Sequence, residues 1–318
     1  MATYIVRRLI LALIVLIIIT LLIFLVIRFL PGDPIYLYMS RQEQQTLTLE
    51  QVEAARHEFG LDKPIVVQYF DWINGIFHGN LGESLFYSES VGALLKRRFP
   101  VTLNLGIPAF IIGSVLGTAA GVLSALRRGK ALDSLMAVFS YMGIAVPIFW
   151  LGILFIYVFG LKLHLLPMFG YTSPTVNLIQ NIKQLILPVV CLAVTPLASI
   201  ARQSRSSMLE IIRQDYIRTA WSKGLRERNV VMRHALKNGL IPVVTLMGIS
   251  LSYILGGSVF IETVFSIPGL GALSVQALLS KDYAIIQAVT LLMAAIIVGI
   301  NLLVDLTYGW LDPRIRYG

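Results

Sequence analysis

The chain has 318 residues, of which 57% are hydrophobic and only 14% are charged. A typical soluble domain has about 25% charged residues, and disordered chains combine low hydrophobicity with high net charge, so both classes are excluded. The net charge is +9, and in so apolar a chain an excess of cations indicates membrane topology and headgroup contact rather than nucleic-acid binding.

Apolar runs long enough to cross a bilayer dominate the chain. About 20 apolar residues are needed to cross about 30 Å of hydrocarbon at about 1.5 Å per residue. Six stretches meet this requirement, and we predict an all-α membrane protein with six transmembrane helices. The predicted spans are residues 9–30, 101–126, 135–159, 185–200, 240–261 and 285–308. The first is too long for a signal-peptide core and no small-residue cleavage site follows it, so we predict a retained N-terminal anchor over residues 1–30.

Basic residues between the spans predict that both termini lie in the cytoplasm. In that orientation the cytoplasmic segments contain most of the Lys and Arg residues, concentrated in residues 127–130 and 202–237. Lys96, Arg97 and Arg98 would then lie on the outer side, but they belong to a long segment, where the positive-inside rule is weakest. The two cytoplasmic clusters outweigh them, so we predict an N-in, C-in topology.

Residues 31–99 are more polar than the spans and are predicted to form a small extracytoplasmic helical segment. Thr48 begins a capping box for a first helix that ends at Gly60, and Pro64 suits the first turn of a second helix. Ser90 could cap a third, short helix. Such a segment could cover a pore mouth or contact a soluble partner, and the alternative is a passive linker.

The predicted cytoplasmic segment 202–239 combines basic residues with an apolar helix face. A helix over residues 215–223 turns Arg218 away from that face, and Gly224 allows a turn or the close approach of another backbone. The apolar face consists of Ile217, Ala220, Trp221 and Leu225. A second basic helix over residues 226–238 leads into the fifth span. Basic amphipathic helices contact lipid headgroups or dock onto soluble partners, and physical arguments alone leave both possibilities open.

Residues 215–242 resemble the EAA loop of the permeases of binding-protein-dependent ABC importers. That loop reads Glu-Ala-Ala, three residues, Gly, nine residues and then Ile-x-Leu-Pro. Ala220, Gly224 and Leu236 match it at the right spacing. The departures from it are similar to the loop of the dipeptide, oligopeptide and nickel branch of the family. They are Arg218 for Glu, Thr219 for the first Ala, His234 for Ile and Lys237 for Pro.

The resemblance to this branch extends over nearly the whole chain. The matching strings keep their order and spacing, while Ala284 stands where a proline is usual. They are Arg28-Phe-Leu-Pro-Gly-Asp-Pro34, Gly60-Leu-Asp-Lys-Pro64, Gln68-Tyr69, His78-Gly-Asn-Leu-Gly82, Arg205-Ser-Ser-Met-Leu-Glu210, Glu262-Thr-Val-Phe-Ser-Ile-Pro-Gly-Leu-Gly271, Asn301-Leu-Leu-Val-Asp305 and Asp312-Pro-Arg-Ile-Arg316.

The resemblance implies a type I ABC importer permease for di- or oligopeptides, with a five-span core over residues 100–318 and the first span at its periphery. The expected partners are a homologous second permease subunit, two cytoplasmic ATPase subunits, an extracytoplasmic solute-binding protein and the lipids of a bacterial or archaeal plasma (inner) membrane. The ATPase subunits use the ATP, so no cofactor is expected in this chain. The implied ATPase-docking residues are Asp215, Ile217, Arg218, Thr219, Ala220, Trp221, Gly224, Leu225, His234, Leu236 and Lys237.

Catalytic motifs are absent from the sequence. The only Gly-Lys pair, Gly129-Lys130, lacks both the upstream glycine and the following Ser or Thr of a phosphate-binding loop. No His-Glu-x-x-His occurs, all four histidines lie outside the predicted spans, and the single cysteine excludes an intrachain disulfide. We therefore predict a transport protein that is not an enzyme and holds no metal, with its substrate site unassigned. The alternatives are import of nickel or a metal chelate, and an ATP-independent channel or ion-coupled carrier.

Small residues and prolines predict features of helix packing. Gly113, Gly117 and Gly121 recur every four residues in the second span, so this face allows close backbone approach. Asp305, near the end of the last span, could pair with another helix. Three prolines within the spans are predicted to kink them or to free carbonyl groups. They are Pro108, Pro147 and Pro196.

Overall fold

The computed structural model describes residues 2–29, 53, 54, 56, 57, 60–84 and 86–311, and the side chains of these between residues 5 and 307. The helices are α1 (Ala2–Arg28), α2 (Ile65–Phe77), α3 (Val91–Leu126), α4 (Ala131–Ala145), α5 (Ile148–Phe155), α6 (Leu178–Ile211), α7 (Asp215–Ser222), α8 (Glu227–Asn229), α9 (Leu236–Gly239), α10 (Ile241–Val264), α11 (Leu270–Ser280) and α12 (Tyr283–Leu311). Two π-helical stretches are π1 (Ile156–Lys162) and π2 (Val230–Ala235), and an antiparallel hairpin consists of β1 (Glu83–Ser84) and β2 (Glu89–Ser90).

Five helices in the described part of the chain are long and apolar enough to cross a membrane, namely α1, α3, α6, α10 and α12. A sixth crossing exists if α4 and the α5–π1 helix count as one span, although they are bent by 104° at their junction. The predicted all-α membrane class is confirmed. Helices satisfy the backbone N–H and C=O groups within each segment, as the water-free interior of a bilayer requires.

The third predicted span, residues 135–159, is not a continuous helix. Val146 and Pro147, between α4 and α5, have extended backbones with ψ angles of 125° and 132°. Proline has no N–H to donate and disfavours the helical conformation in the residue before it, so the break falls at this pair. By contrast, Pro108 and Pro196 lie inside α3 and α6 without ending either helix.

The fourth predicted span, residues 185–200, is only the middle of a longer helix. α6 has 34 residues. The Asn177 side chain begins it by accepting a hydrogen bond of 3.0 Å from the Gln180 N–H, which satisfies one free donor of the first turn. The polar end remains helical because it still buries side chains such as Ser204 and Met208. α6 packs against α4, α5, α9 and α10, and this makes it the central helix of its unit.

The chain separates into two compact units. The first unit contains the described residues of Met1–Arg8, Thr102–Ile267 and Gly299–Gly318, and the second contains those of Leu9–Val101 and Pro268–Val298. This division differs from the predicted one into residues 31–99 and 100–318, because α3 runs without interruption through that border and α11 belongs with the outer segment. Most of the first predicted outer helix, which begins near Thr48, lies outside the described residues, but residues 53, 54, 56 and 57 are helical and Gly60 forms a turn with a φ angle of +64°.

Asp282 anchors the hairpin of the second unit. One of its carboxylate oxygens accepts hydrogen bonds from the Ser84 hydroxyl at 2.6 Å and from the Phe86 N–H at 3.1 Å. The other oxygen accepts the Ile285 N–H in the first turn of α12 at 3.3 Å. Ser90 is followed directly by the 36-residue helix α3, and not by the short helix predicted there. The buried apolar core of this unit is Val91, Leu94, Leu95, Leu270, Leu273, Ala277, Ile285, Ala288 and Val289.

Three glycines of α3 lie against α6 in the first unit. A β-carbon added at Gly121 would lie 2.5 Å from the Ser204 Cβ, and one added at Gly117 would lie 2.8 Å from the Leu197 carbonyl oxygen. At Gly113 the shortest distance would be 3.2 Å. The first two distances are too short for any side chain, so these glycines permit the close approach of the two backbones.

We predict that Gly121→Ala lowers the apparent melting temperature of the purified protein in detergent. The added methyl group overpacks the α3–α6 contact, which costs about 1–3 kcal/mol. Gly256→Ala in α10 is the matched control, because a β-carbon there has no atom within 4 Å. That variant should melt at the same temperature or slightly higher, since Ala is the better helix former. Equal melting of the two variants would contradict the prediction.

Candidate functional site

The segment between α6 and α10 folds on an apolar base formed within the chain. Ile217 is fully buried on the inner face of α7, and Ala220 lies one turn further along the same face. Both contact residues of π2 and the ends of α3 and α6. The buried members of this base cluster are Ala125, Met208, Ile217, Ala220, Val230, Val231 and Ala235. The segment is therefore a folded part of the first unit.

Four apolar side chains of this segment stay exposed, and we name them the apolar patch. They are Tyr216, Trp221, Leu225 and Met232, each at least 40% exposed. The four residues that the sequence grouped on one apolar face differ in exposure: Ile217 and Ala220 are buried, whereas Trp221 and Leu225 are each 40% exposed. Ile217 and Ala220 pack inward in the base cluster, whereas Trp221 and Leu225 remain at the surface.

The remaining residues of the EAA-like segment have separate positions. Arg218 and Thr219 lie on the exposed side of α7, where both hydrogen-bond to Asp215, through its carboxylate at 3.4 Å and its carbonyl oxygen at 2.9 Å. His234 is half-buried, with its carbonyl oxygen 3.4 Å from the Asn238 amide nitrogen. In addition, Leu236 packs on the base cluster and Lys237 is exposed.

Gly224 forms the turn between α7 and α8. Its φ angle is +77°, in the left-handed region that favours glycine, and a β-carbon there would meet no atom within 4 Å. The sequence allowed two roles for Gly224, a turn or the close approach of another backbone, and the structure shows the turn. No described atom makes the close backbone approach that was the other possibility.

An ion pair between a half-buried arginine and a buried carboxylate was not predicted. Arg205 of α6 binds the carboxylate of Asp133 in α4 through two hydrogen bonds, of 2.6 Å from Nε and 2.8 Å from Nη2. The same carboxylate accepts the Ser124 hydroxyl at 2.5 Å and the Gly129 N–H at 3.0 Å. Bidentate arginine–carboxylate pairs are among the stronger protein hydrogen bonds. The ion pair therefore attaches the turn between α3 and α4 to the C-terminal end of α6. This end leads into the segment that contains the apolar patch.

Two carboxylates in the apolar helices also have partners. Asp305 of α12 forms an ion pair of 3.0 Å with Arg8 of α1, as the possible pairing with another helix anticipated. Glu262 of α10 is fully buried and accepts a hydrogen bond of 2.7 Å from the Thr102 hydroxyl of α3. These contacts join helices that are distant in sequence within the first unit. Among the residues that the structure describes, no group of three His, Cys, Asp or Glu side chains could hold a metal ion.

The apolar helices and the folded polar segment between α6 and α10 define a polytopic membrane protein. Comparison with models of protein families identifies the family. The model described as "Binding-protein-dependent transport system inner membrane component" matches residues 117–317, and the corresponding N-terminal model matches residues 1–106. The chain belongs to the family of inner membrane components of binding-protein-dependent transport systems. Members of this family are permease components of ABC importers and are not enzymes.

Relatives match the chain over its full length. It is 42% identical over 317 residues to the probable peptide ABC transporter permease protein y4tP of Sinorhizobium fredii, covering 100% of both chains. It is 37% identical over 337 residues to the di/tripeptide transport system permease protein DppB of Pseudomonas aeruginosa, covering 100% of this chain and 99% of that one.

A solved structure shares the fold. The chain matches an inward-facing structure of the MetNI methionine ABC transporter with a TM-score of 0.55 at 20% sequence identity. The match covers 69% of this chain and 96% of the other. At this identity the likeness concerns the fold alone, which is that of a type I ABC importer permease.

We predict that Arg205→Ala destabilises the first unit while Arg202→Ala does not. Loss of Arg205 leaves the buried Asp133 carboxylate without its charged partner, and hydrogen bonds to charged groups contribute about 1.5–3 kcal/mol each. Arg202 is an exposed arginine of the same helix and serves as the matched control. The measurement is the apparent melting temperature in detergent. If both variants melt with the wild type, the ion pair does not stabilise this junction.

Proposed function

We propose that this chain is the transmembrane permease subunit of an ATP-driven importer for di- or oligopeptides in a bacterial inner membrane. This chain and a homologous second permease subunit each form half of the translocation pathway. The observation that carries this proposal is the match over the full length of the chain to relatives that are named as peptide and di/tripeptide permease proteins. An extracytoplasmic solute-binding protein delivers the peptide.

In this proposal the energy comes from two cytoplasmic ATPase subunits, and the apolar patch is the surface on which an ATPase docks. Exposed Trp and Tyr side chains are typical centres of protein interfaces. The same segment exposes several cations, and they favour acidic residues on the partner. They are Arg218, Lys223, Arg226, Arg228 and Arg233.

Motion of the ATPase would reach the membrane through contacts that are already formed in the chain. Ile217 and Ala220 lie beneath the patch and contact the same base cluster as Met208 of α6. Because packed interiors transmit displacement with little compression, a push on the patch would move the end of α6. The ion pair between Arg205 and Asp133 would carry the same displacement to α4.

The proposed orientation places the segment 202–239 and both termini in the cytoplasm. It rests on the concentration of Lys and Arg in residues 127–130 and 202–237. Residues 31–99 would then lie outside the cytoplasm, on the side of the solute-binding protein. Both termini on one side of the membrane require an even number of crossings, so this proposal needs six, with the bent α4–α5 pair crossing once.

We predict that Trp221→Asp uncouples the importer without unfolding it. The substitution places a charge in an apolar contact and removes an aromatic anchor. Such an anchor contributes about 2 kcal/mol or more to binding, so ATPase binding should weaken about 30-fold or more. Ser222→Asp, which adds the same charge on the same helix outside the patch, is the matched control. Binding of the purified ATPase is measured together with melting temperature. Ile217→Ala should show the opposite pattern, with lower stability from the loss of buried packing.

Reconstitution tests the transport class and the cargo. With the second permease, both ATPases and the binding protein in liposomes, external peptide should raise ATP turnover and be taken up. Stimulation by nickel or a nickel chelate, with none by peptide, would replace the proposed cargo and leave the ABC class in place. Uptake by this chain alone along a proton or sodium gradient, without ATP, would instead identify an ion-coupled carrier.

A further inference from the structure

Helix α2 has one polar and one apolar side. On a helix with about 100° per residue, its polar side chains Gln68, Asp71 and Asn74 fall within one arc. The apolar arc is wider and contains no charged residue. It consists of Ile65, Val66, Tyr69, Phe70, Trp72, Ile73, Ile76 and Phe77.

One part of the apolar arc packs on α1. The hydroxyl groups of Tyr69 and Thr20 are 3.0 Å apart and share a hydrogen bond. The ring of Phe24, which is fully buried, lies 5.4 Å from the Tyr69 ring and 5.9 Å from the Trp72 ring. These contacts attach α2 to the side of α1 near its C-terminal end at Arg28.

The other part of the apolar arc is not covered by any residue that the structure describes. Val66, Phe70 and Phe77 are 66%, 64% and 85% exposed. α1 also exposes apolar side chains, including Leu22 and Val26. α1 is the most apolar of the candidate spans, so α2 is attached to the helix that most requires a lipid environment.

The contact with Thr20 sets the depth of α2. Thr20 lies two helical turns before Arg28, about 12 Å along the axis. Interfacial amphipathic helices bury their apolar face about 5–10 Å into the boundary between headgroups and acyl chains. The exposed rings of Phe70 and Phe77 suit this boundary, because Trp, Phe and Leu side chains form the apolar face of interfacial helices. A helix at this depth has lipid on any side that protein does not cover.

We propose that α2 lies in the lipid interface at the Arg28 end of α1, with Val66, Phe70 and Phe77 immersed among the acyl chains. The polar side of the helix then faces water. There Asp71 accepts a hydrogen bond of 2.8 Å from Lys63, and this bond raises the pKa of Lys63. The proposal requires only that α1 crosses the membrane, so it holds or fails independently of the cargo.

Fluorescence quenching in vesicles tests the position of α2. Single cysteines replace Phe70 or, as the matched control on the polar side, Asp71, in the full-length chain with Cys191→Ser. Each is labelled with a small fluorophore and reconstituted in phosphatidylcholine–phosphatidylglycerol vesicles. Quenching by a lipid with a nitroxide near the top of its acyl chain is compared with quenching by iodide in the water. Phe77→Cys with Asn74→Cys repeats the comparison at the end of the helix.

The proposal expects the lipid quencher to act about twofold more strongly at position 70 than at position 71, with iodide showing the reverse order. Equal iodide quenching at both positions would overturn it, because α2 would then lie in water. Protection of position 70 from both quenchers would also overturn it, because protein would cover the face. If the label at position 70 prevents reconstitution, the comparison of positions 77 and 74 tests the proposal instead.

Discussion

Close packing around α6 is the constraint on which the first unit depends. In lipid there is no hydrophobic force between helices, so their association relies on van der Waals contact and small residues. Gly117 and Gly121 bring α3 against one side of α6, while a β-carbon at Gly143 of α4 would lie 2.9 Å from the Ala198 Cβ. The Thr195 hydroxyl adds a hydrogen bond of 3.1 Å to the Gly143 carbonyl oxygen. Without these small residues the three helices could not meet.

The same helix links the apolar packing to the proposed docking surface. α6 continues beyond its apolar part, where Arg205 holds the Asp133 carboxylate and Met208 supports the base cluster under α7. The segment that carries the apolar patch is therefore packed on the end of α6 through the base cluster and is not a free loop. Binding sites on rigid elements retain their geometry and lose less conformational entropy on association. This arrangement suits a surface that must receive motion from a partner and pass it to the membrane helices.

Buried polar groups decide the structure at the helix junctions of both units. Asp133, Glu262 and Asp282 are each buried and each accept hydrogen bonds from residues far away in sequence. A buried carboxylate without such partners would be strongly destabilising. Each therefore specifies one arrangement of its neighbouring segments, and none belongs to a group of three or more possible metal ligands among the described residues.

The sequence by itself determined the membrane class, the start of α2 after Pro64 and the family, because long apolar runs, a proline-led first turn and ordered strings of residues do not depend on distant contacts. It did not determine which prolines break a helix, since Pro147 ends α4 whereas Pro188 and Pro196 remain inside α6. Periodicity also grouped Ile217 with Trp221, but only the base cluster decided that the first is buried and the second exposed. The burial of Ile217 and the pairing of Asp133 with Arg205 depend on segments that meet only in the folded chain. The local sequence does not determine which segment packs against which.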